Sequence, residues 1–152
     1  MKKHINRILK YGTLLSCYCL IGSVLLQIFA RFFLSDPPSW TEEASRLFFV
    51  YTMAFAAGLA MESNEYVYLD YFFDKFNPSI KKRLLIVIHV LSILLFSLMS
   101  FYSIRLVQLG IPEMAPSLKI SMAIAFLSIF LLSLSLTYFS VRALEKTAKN
   151  KV

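Results

Sequence analysis

The stretch Trp40–Phe76, WTEEASRLFFVYTMAFAAGLAMESNEYVYLDYFFDKF, contains each kind of segment from which the chain is built. It begins with an aromatic residue and paired acids, continues as an apolar run from Leu47 to Met61, and turns polar over 62–65. Counted from Ala44, the apolar part reaches about 18 residues, or about 27 Å at 1.5 Å per residue, which is just enough to cross a bilayer. The first half of this stretch therefore predicts a membrane-spanning helix.

The second half of the stretch has a different pattern. Its apolar residues recur at the i, i+3, i+4, i+7 spacing of one helical face, with Asp70, Asp74 and Lys75 off that face; these residues are Leu69, Phe72, Phe73 and Phe76. The segment is too short to span a membrane. It predicts an amphipathic helix over about 66–77 that lies in the membrane interface.

Outside this stretch, three further apolar runs lie one before it and two after it. The whole chain is 58% hydrophobic and 16% charged, whereas soluble domains average about 25% charged residues. We therefore predict an all-α integral membrane protein that forms a single domain over 1–152. Its four transmembrane helices are expected at about 9–33, 42–62, 82–107 and 119–142, with the interfacial helix between the second and the third.

Lysine and arginine are distributed unevenly between the two ends of the predicted helices. The segments 1–10, 62–83 and 142–152 carry four each, whereas the other two loops together hold only Arg31, Arg46, Arg105 and Lys119. The positive-inside rule then predicts that both termini are cytoplasmic. Because the basic residues mark helix ends, the net charge of +7 does not indicate nucleic-acid binding.

Reactive groups are sparse within the predicted spans. Cys17 and Cys19 point about 200° apart on a helix and so are expected to pack as small apolar residues. His89 is ionisable within a span, which makes it a functional candidate, but a neutral hydrogen-bonded histidine is the favoured interpretation. No catalytic motif and no set of metal or haem ligands is evident, so we predict no enzyme activity, no cofactor and no metal.

Two groups of residues are candidates for contact with other proteins. Ala54 and Gly58 are four residues apart, a spacing that lets two helix backbones approach closely in lipid. They indicate either a docking seam for another membrane chain or ordinary packing within this one. The outward loops carry charges that a soluble partner could meet, namely Arg31, Asp36, Arg105 and Glu113.

The start of the second helix adds a motif to these features. Trp40-Thr41-Glu42-Glu43-x-x-Arg46, the following Ala/Gly-rich span and the later Val67-x-Leu69-Asp70 resemble the small membrane subunit (Q, or DctQ-like) of tripartite ATP-independent periplasmic (TRAP) transporters. The resemblance covers most of the chain. This sequence departs from the family pattern at Tyr66, where a histidine is common, and at Ala56, where a glycine is common.

The resemblance implies a protein of the bacterial inner membrane that serves as a stationary scaffold for a large, elevator-type membrane subunit. It also implies that the chain helps a periplasmic substrate-binding protein to dock. The complex would import a carboxylate, such as sialic acid or a C4-dicarboxylate, together with sodium. On this hypothesis, contacts with the large subunit or lipid come from Trp40, Glu42, Glu43, Arg46, Ala54, Gly58, Leu69, Asp70, Phe72, Phe73 and Phe76. The main alternative is a self-assembling small four-helix transporter or channel. A membrane enzyme or electron carrier that uses His89 is a third hypothesis.

Overall fold

The computed structural model describes residues 2–34, 37–62 and 78–149. Four helices make up most of them: α1 (Lys2–Phe33), α2 (Trp40–Glu62), α3 (Pro78–Gly110) and α4 (Ala123–Lys149). Each is long and apolar enough to cross a membrane, which confirms the predicted all-α membrane protein. The predicted interfacial helix over 66–77 and Asp36 lie outside the described residues.

The helices do not begin where the predicted transmembrane spans begin, and the spans themselves stay a prediction. Helix α1 begins at Lys2 rather than near residue 9, because lysine and arginine are good helix formers and extend the helix past its apolar run. Helix α3 begins with Pro78 at its first position, where a missing N–H costs nothing. Helix α4 begins at Ala123 rather than near 119, because the preceding residues form a hairpin.

That hairpin covers residues 113–122. The Met122 N–H donates to the Glu113 carbonyl at 2.9 Å, and the Ala115 N–H donates to the Ile120 carbonyl at 2.8 Å. At its tip, Lys119 has a φ of 53°, a left-handed conformation that non-glycine residues seldom adopt. The turn closes the hairpin, so the chain reverses between α3 and α4 in an ordered way.

The four helices form an open row in the order α1, α2, α4, α3. Gly58 on α2 lies where a Cβ atom would be 3.0 Å from Leu9 Cδ1 of α1 and 3.1 Å from Ser135 Oγ of α4. Helices α2 and α4 run parallel, since Tyr51 Oη in the middle of α2 donates to the Ile124 carbonyl at the start of α4, and Ser140 Oγ further along α4 meets Met61 Sδ at the end of α2. Helices α1 and α3 therefore lie at the two ends of the row.

The joint between α3 and α4 is tight. A Cβ atom on Gly110 would be 2.6 Å from Phe126 Cδ2 and 2.8 Å from the backbone nitrogen of Ala123. Beside it, Ser121 Oγ lies 2.9 Å from the Gly110 carbonyl oxygen and accepts the Ala123 N–H at 3.2 Å. One hydroxyl thus links the last residue of α3 to the first residue of α4.

Small residues fill the inside of the row, and large apolar residues cover its outside. The most buried residues are Ala54 on α2 and three serines on α4, Ser128, Ser133 and Ser140. Ser128 and Ser133 donate to carbonyls three residues earlier in their own helix, which satisfies their hydroxyls. Such packing is typical of membrane helices, whose association depends on close backbone approach.

Candidate functional site

The first turn of α2 is joined to the 113–122 hairpin through Glu43. Its Oε2 atom accepts hydrogen bonds from the backbone N–H groups of Ser117 and Leu118, at 3.0 and 2.8 Å. Two successive N–H groups at a turn form a natural anion-binding concavity. The carboxylate also lies in the first helical turn, where the helix dipole favours a negative charge. Glu43 thus fixes the hairpin against the start of α2.

The other predicted residues at this end of α2 face outward. Glu42 and Arg46 form the i, i+4 ion pair that their spacing indicates, and both side chains are largely exposed. Trp40 is 44% exposed at the start of the helix. Thr41 is buried, and its hydroxyl donates to the Pro38 carbonyl at 2.9 Å, which ties the α1–α2 link to the helix. The assignment of Trp40, Glu42, Glu43 and Arg46 to a partner interface stays a prediction.

A groove of about 370 Å³ separates the first half of α2 from the hairpin and the start of α4. Its walls are mostly apolar, with Leu47 and Val50 on one side and Leu118 and Ile120 on the other. Arg46 and Glu43 also line it. The groove therefore belongs to the same end of the molecule as the Glu43 contact.

Ala54 and Gly58 lie inside the chain's own row of helices. Ala54 is only 1% exposed, and Gly58 is enclosed by Leu9 and Ser135. Of the two alternatives for this seam, this burial favours packing within the chain, and the assignment of Ala54 and Gly58 to a partner interface stays a prediction. The seam brings α1, α2 and α4 together.

Three of the four charged residues predicted to meet a soluble partner are described, and they lie at the hairpin end of the molecule. Arg31, Arg105 and Glu113 are all exposed there. The Arg105 guanidinium lies over the Phe101 ring, 5.9 Å from its centroid. The partner-interface candidates Leu69, Asp70, Phe72, Phe73 and Phe76 fall outside the described residues, as does Asp36.

The remaining chemical candidates lie on α1 and α3. Cys17 and Cys19 are free cysteines on α1. His89 is partly buried on α3. Within 2–34, 37–62 and 78–149, no group of three or more His, Cys, Asp or Glu side chains could hold a metal ion.

Sequence reasoning missed the contacts that join α2 to the α3–α4 connection. It placed Glu43 among the partner-interface residues, yet Glu43 binds a loop of its own chain 74 and 75 residues away. It read Tyr51 as part of an apolar run, yet Tyr51 bonds to the first turn of α4. No local sequence pattern predicts the contact of Glu43 or that of Tyr51. The one local hint is a pair of adjacent acids, Glu42 and Glu43, of which Arg46 can satisfy only one.

Comparison with known proteins supplies the context for this geometry. The sequence profile of the DctQ component of tripartite ATP-independent periplasmic transporters matches residues 20–150. A Haemophilus influenzae protein, provisionally named a TRAP transporter small permease protein, is 21% identical over 147 residues, which cover 97% of this chain and 89% of that protein. The Vibrio cholerae sialic acid TRAP transporter small permease protein SiaQ is 32% identical over 75 residues, or 49% of this chain and 43% of SiaQ.

Proposed function

Because this chain belongs to the DctQ family, the small permease subunits of TRAP transporters, we propose that it is the stationary scaffold of a tripartite importer. In this role it supports a large, elevator-type membrane subunit. It also helps a periplasmic substrate-binding protein to dock. The positive-inside distribution supports an orientation with both termini in the cytoplasm and the hairpin end in the periplasm.

The open row of helices is the observation that carries the scaffold role. In a closed four-helix bundle each helix packs on two neighbours, whereas among the described residues α1 and α3 each pack extensively on one other helix. Their outward faces are long and apolar, including Leu15 and Leu25 on α1 and Leu91 and Leu94 on α3. These outward faces offer a broad apolar surface within the membrane for a larger subunit.

The Glu43 contact supports the docking role. A hairpin held by two hydrogen bonds to a carboxylate keeps its shape before a partner arrives, which lowers the ordering cost of binding. Glu113, within the hairpin, and Arg31 and Arg105, at the same end of the molecule, are exposed charges. We propose that this end receives the substrate-binding protein.

The substrate class comes from the family resemblance. We propose a carboxylate, such as sialic acid or a C4-dicarboxylate, taken up with sodium. The name of the Vibrio cholerae relative supports sialic acid as the first substrate to test.

The proposal is tested by tagging the chain in its native host, extracting it in a mild detergent and identifying what co-purifies. We expect a large multi-span membrane protein in a stable complex. Recovery of the chain alone would contradict the scaffold role. In parallel, the purified chain is reconstituted alone into liposomes, where solute flux above that of empty liposomes would favour the self-assembling transporter or channel.

A further inference from the structure

Tyr18 is a polar residue in an unusual place on the outside of α1. It is 71% exposed, and no described residue accepts a hydrogen bond from its hydroxyl. The charge-free run of α1, residues 11–30, is about 30 Å long, so it matches the hydrocarbon layer. Tyr18 lies about 4 Å from the centre of that run. Its hydroxyl therefore faces outward near the middle of the membrane.

A phenol at this depth needs an acceptor that lipid does not provide. Hydrocarbon holds no water, so an unpaired hydroxyl there is costly. A serine avoids the cost by bonding to its own helix, as Ser23 does with the Leu20 carbonyl at 2.9 Å. The tyrosine hydroxyl stands at the far end of a ring and cannot reach its own backbone. The nearer headgroups are about 11 Å away along the membrane normal, too far for the side chain to reach.

Gly22 lies one helical turn further along the same face. A Cβ atom added there would meet nothing within 4 Å, so the packing of this chain does not require a glycine. Glycine lowers helix stability relative to alanine. On an outward face in lipid, its benefit is to let a second helix backbone approach closely. A hydrogen-bond donor thus lies beside a notch of the kind used in helix–helix contacts.

We propose that the α1 face carrying Tyr18 and Gly22 is the surface on which the large membrane subunit packs. The Tyr18 hydroxyl donates a hydrogen bond to an acceptor on a helix of that subunit, and this helix crosses α1 at Gly22. This inference rests on the proposed function and names the face that the scaffold uses. A soluble protein cannot reach the middle of the membrane, and lipid chains carry no acceptor.

The outer face of α3 has no equivalent feature. Its exposed polar residue near mid-span is Ser97, and a serine hydroxyl can be satisfied by its own helix. We therefore assign the α3 face to lipid. This difference provides matched control variants for the test.

The test measures association of the labelled full-length chain with the labelled large subunit by energy transfer in liposomes, across a range of protein-to-lipid ratios. Tyr18→Phe removes only the hydroxyl, and we expect association to weaken about 3- to 15-fold. Gly22→Leu fills the notch, and we expect a loss of about tenfold or more. Tyr102→Phe, near the end of the α3 span, and Ser97→Leu should leave association unchanged. Helix content, checked by circular dichroism, should match the wild type in all four variants.

The results separate this inference from the proposed function. If the wild-type chain binds the large subunit and both α1 variants bind equally well, the α1 face is not the interface and the inference is wrong. If the chain associates with itself in the absence of the large subunit, and Tyr18→Phe weakens that association, the acceptor belongs to a second copy and the inference is also wrong. If the wild-type chain does not bind the large subunit at all, the proposed function fails, and the inference fails with it.

Discussion

At the residue scale, Glu43 connects two segments that are far apart in the sequence. We expect Glu43→Ala to lower the free energy of unfolding by about 1–3 kcal/mol, because two partly buried N–H groups, those of Ser117 and Leu118, lose their acceptor. Unfolding in mixed micelles, monitored by circular dichroism, measures this change. Amide hydrogens of the hairpin should also exchange faster with solvent.

The neighbouring acid provides the control. Glu42→Ala removes an exposed i, i+4 ion pair with Arg46, and we expect a change below about 0.5 kcal/mol. Equal effects of the two substitutions would show that the Glu43 contact contributes no more than a surface ion pair.

Gly110 is the second residue whose identity the packing dictates. We expect Gly110→Ala to destabilise the chain by about 1–3 kcal/mol, because the new methyl group would overlap Phe126 and the backbone nitrogen of Ala123. Backbone at the joint of two helices cannot move aside as a flexible side chain can. Gly22→Ala is the control, since a methyl group there meets nothing within 4 Å and the isolated chain should not lose stability. A tolerated Gly110→Ala would mean that the α3–α4 joint is looser than its geometry indicates.

At the element scale, α2 and α4 form the centre of the row and pack through small side chains. We expect Ala54→Leu to destabilise the purified chain by about 1–3 kcal/mol with no partner present, because Ala54 is almost fully buried. Met53→Leu, at the adjacent exposed position, should change stability by less than about 0.5 kcal/mol. If Ala54→Leu left the chain stable but weakened its complex with a large subunit, the docking alternative for this seam would be correct.

The four helices could be predicted from the sequence because a bilayer imposes a simple requirement of about 20 apolar residues on each span. Their ends were harder to predict. Nothing in the hydropathy of residues 2–10 says whether the helix continues, and residues 119–122 are as compatible with a helix as with the hairpin that they close. In the same way, the spacing of Ala54 and Gly58 indicates that backbones approach closely, but not whose backbones they are.

At the scale of the whole molecule, the orientation in the membrane is open to a direct test. We expect a cysteine introduced at the exposed position 114, as Met114→Cys, to react with a membrane-impermeant maleimide added to intact spheroplasts. A cysteine introduced as Lys146→Cys should react only after the membrane is permeabilised, because the positive-inside rule places it in the cytoplasm. The comparison uses a background in which Cys17 and Cys19 are replaced by alanine. If the cysteine at position 146 reacted in intact spheroplasts and the cysteine at position 114 reacted only after permeabilisation, the orientation would be the opposite of the one proposed.

The candidate site could be predicted from the sequence only in part. The motif around Trp40–Arg46 pointed to a family, and the profile match over residues 20–150 confirmed it. The motif did not reveal that Glu43 binds Ser117 and Leu118, because such a contact depends on how whole helices are arranged. The exposure of Tyr18 likewise became visible only once the row showed which side of α1 is uncovered.

The Glu43 contact also has a consequence for how the protein is made. A ribosome completes α2 well before it reaches Ser117 and Leu118. The Glu43 carboxylate therefore cannot form these two hydrogen bonds until 74 or 75 further residues have been synthesised. A polypeptide that ended before Ser117 would lack both backbone N–H groups that Glu43 accepts from. The contact between α2 and the 113–122 hairpin can therefore form only after the hairpin has been synthesised. A chain that ends before the hairpin lacks this contact.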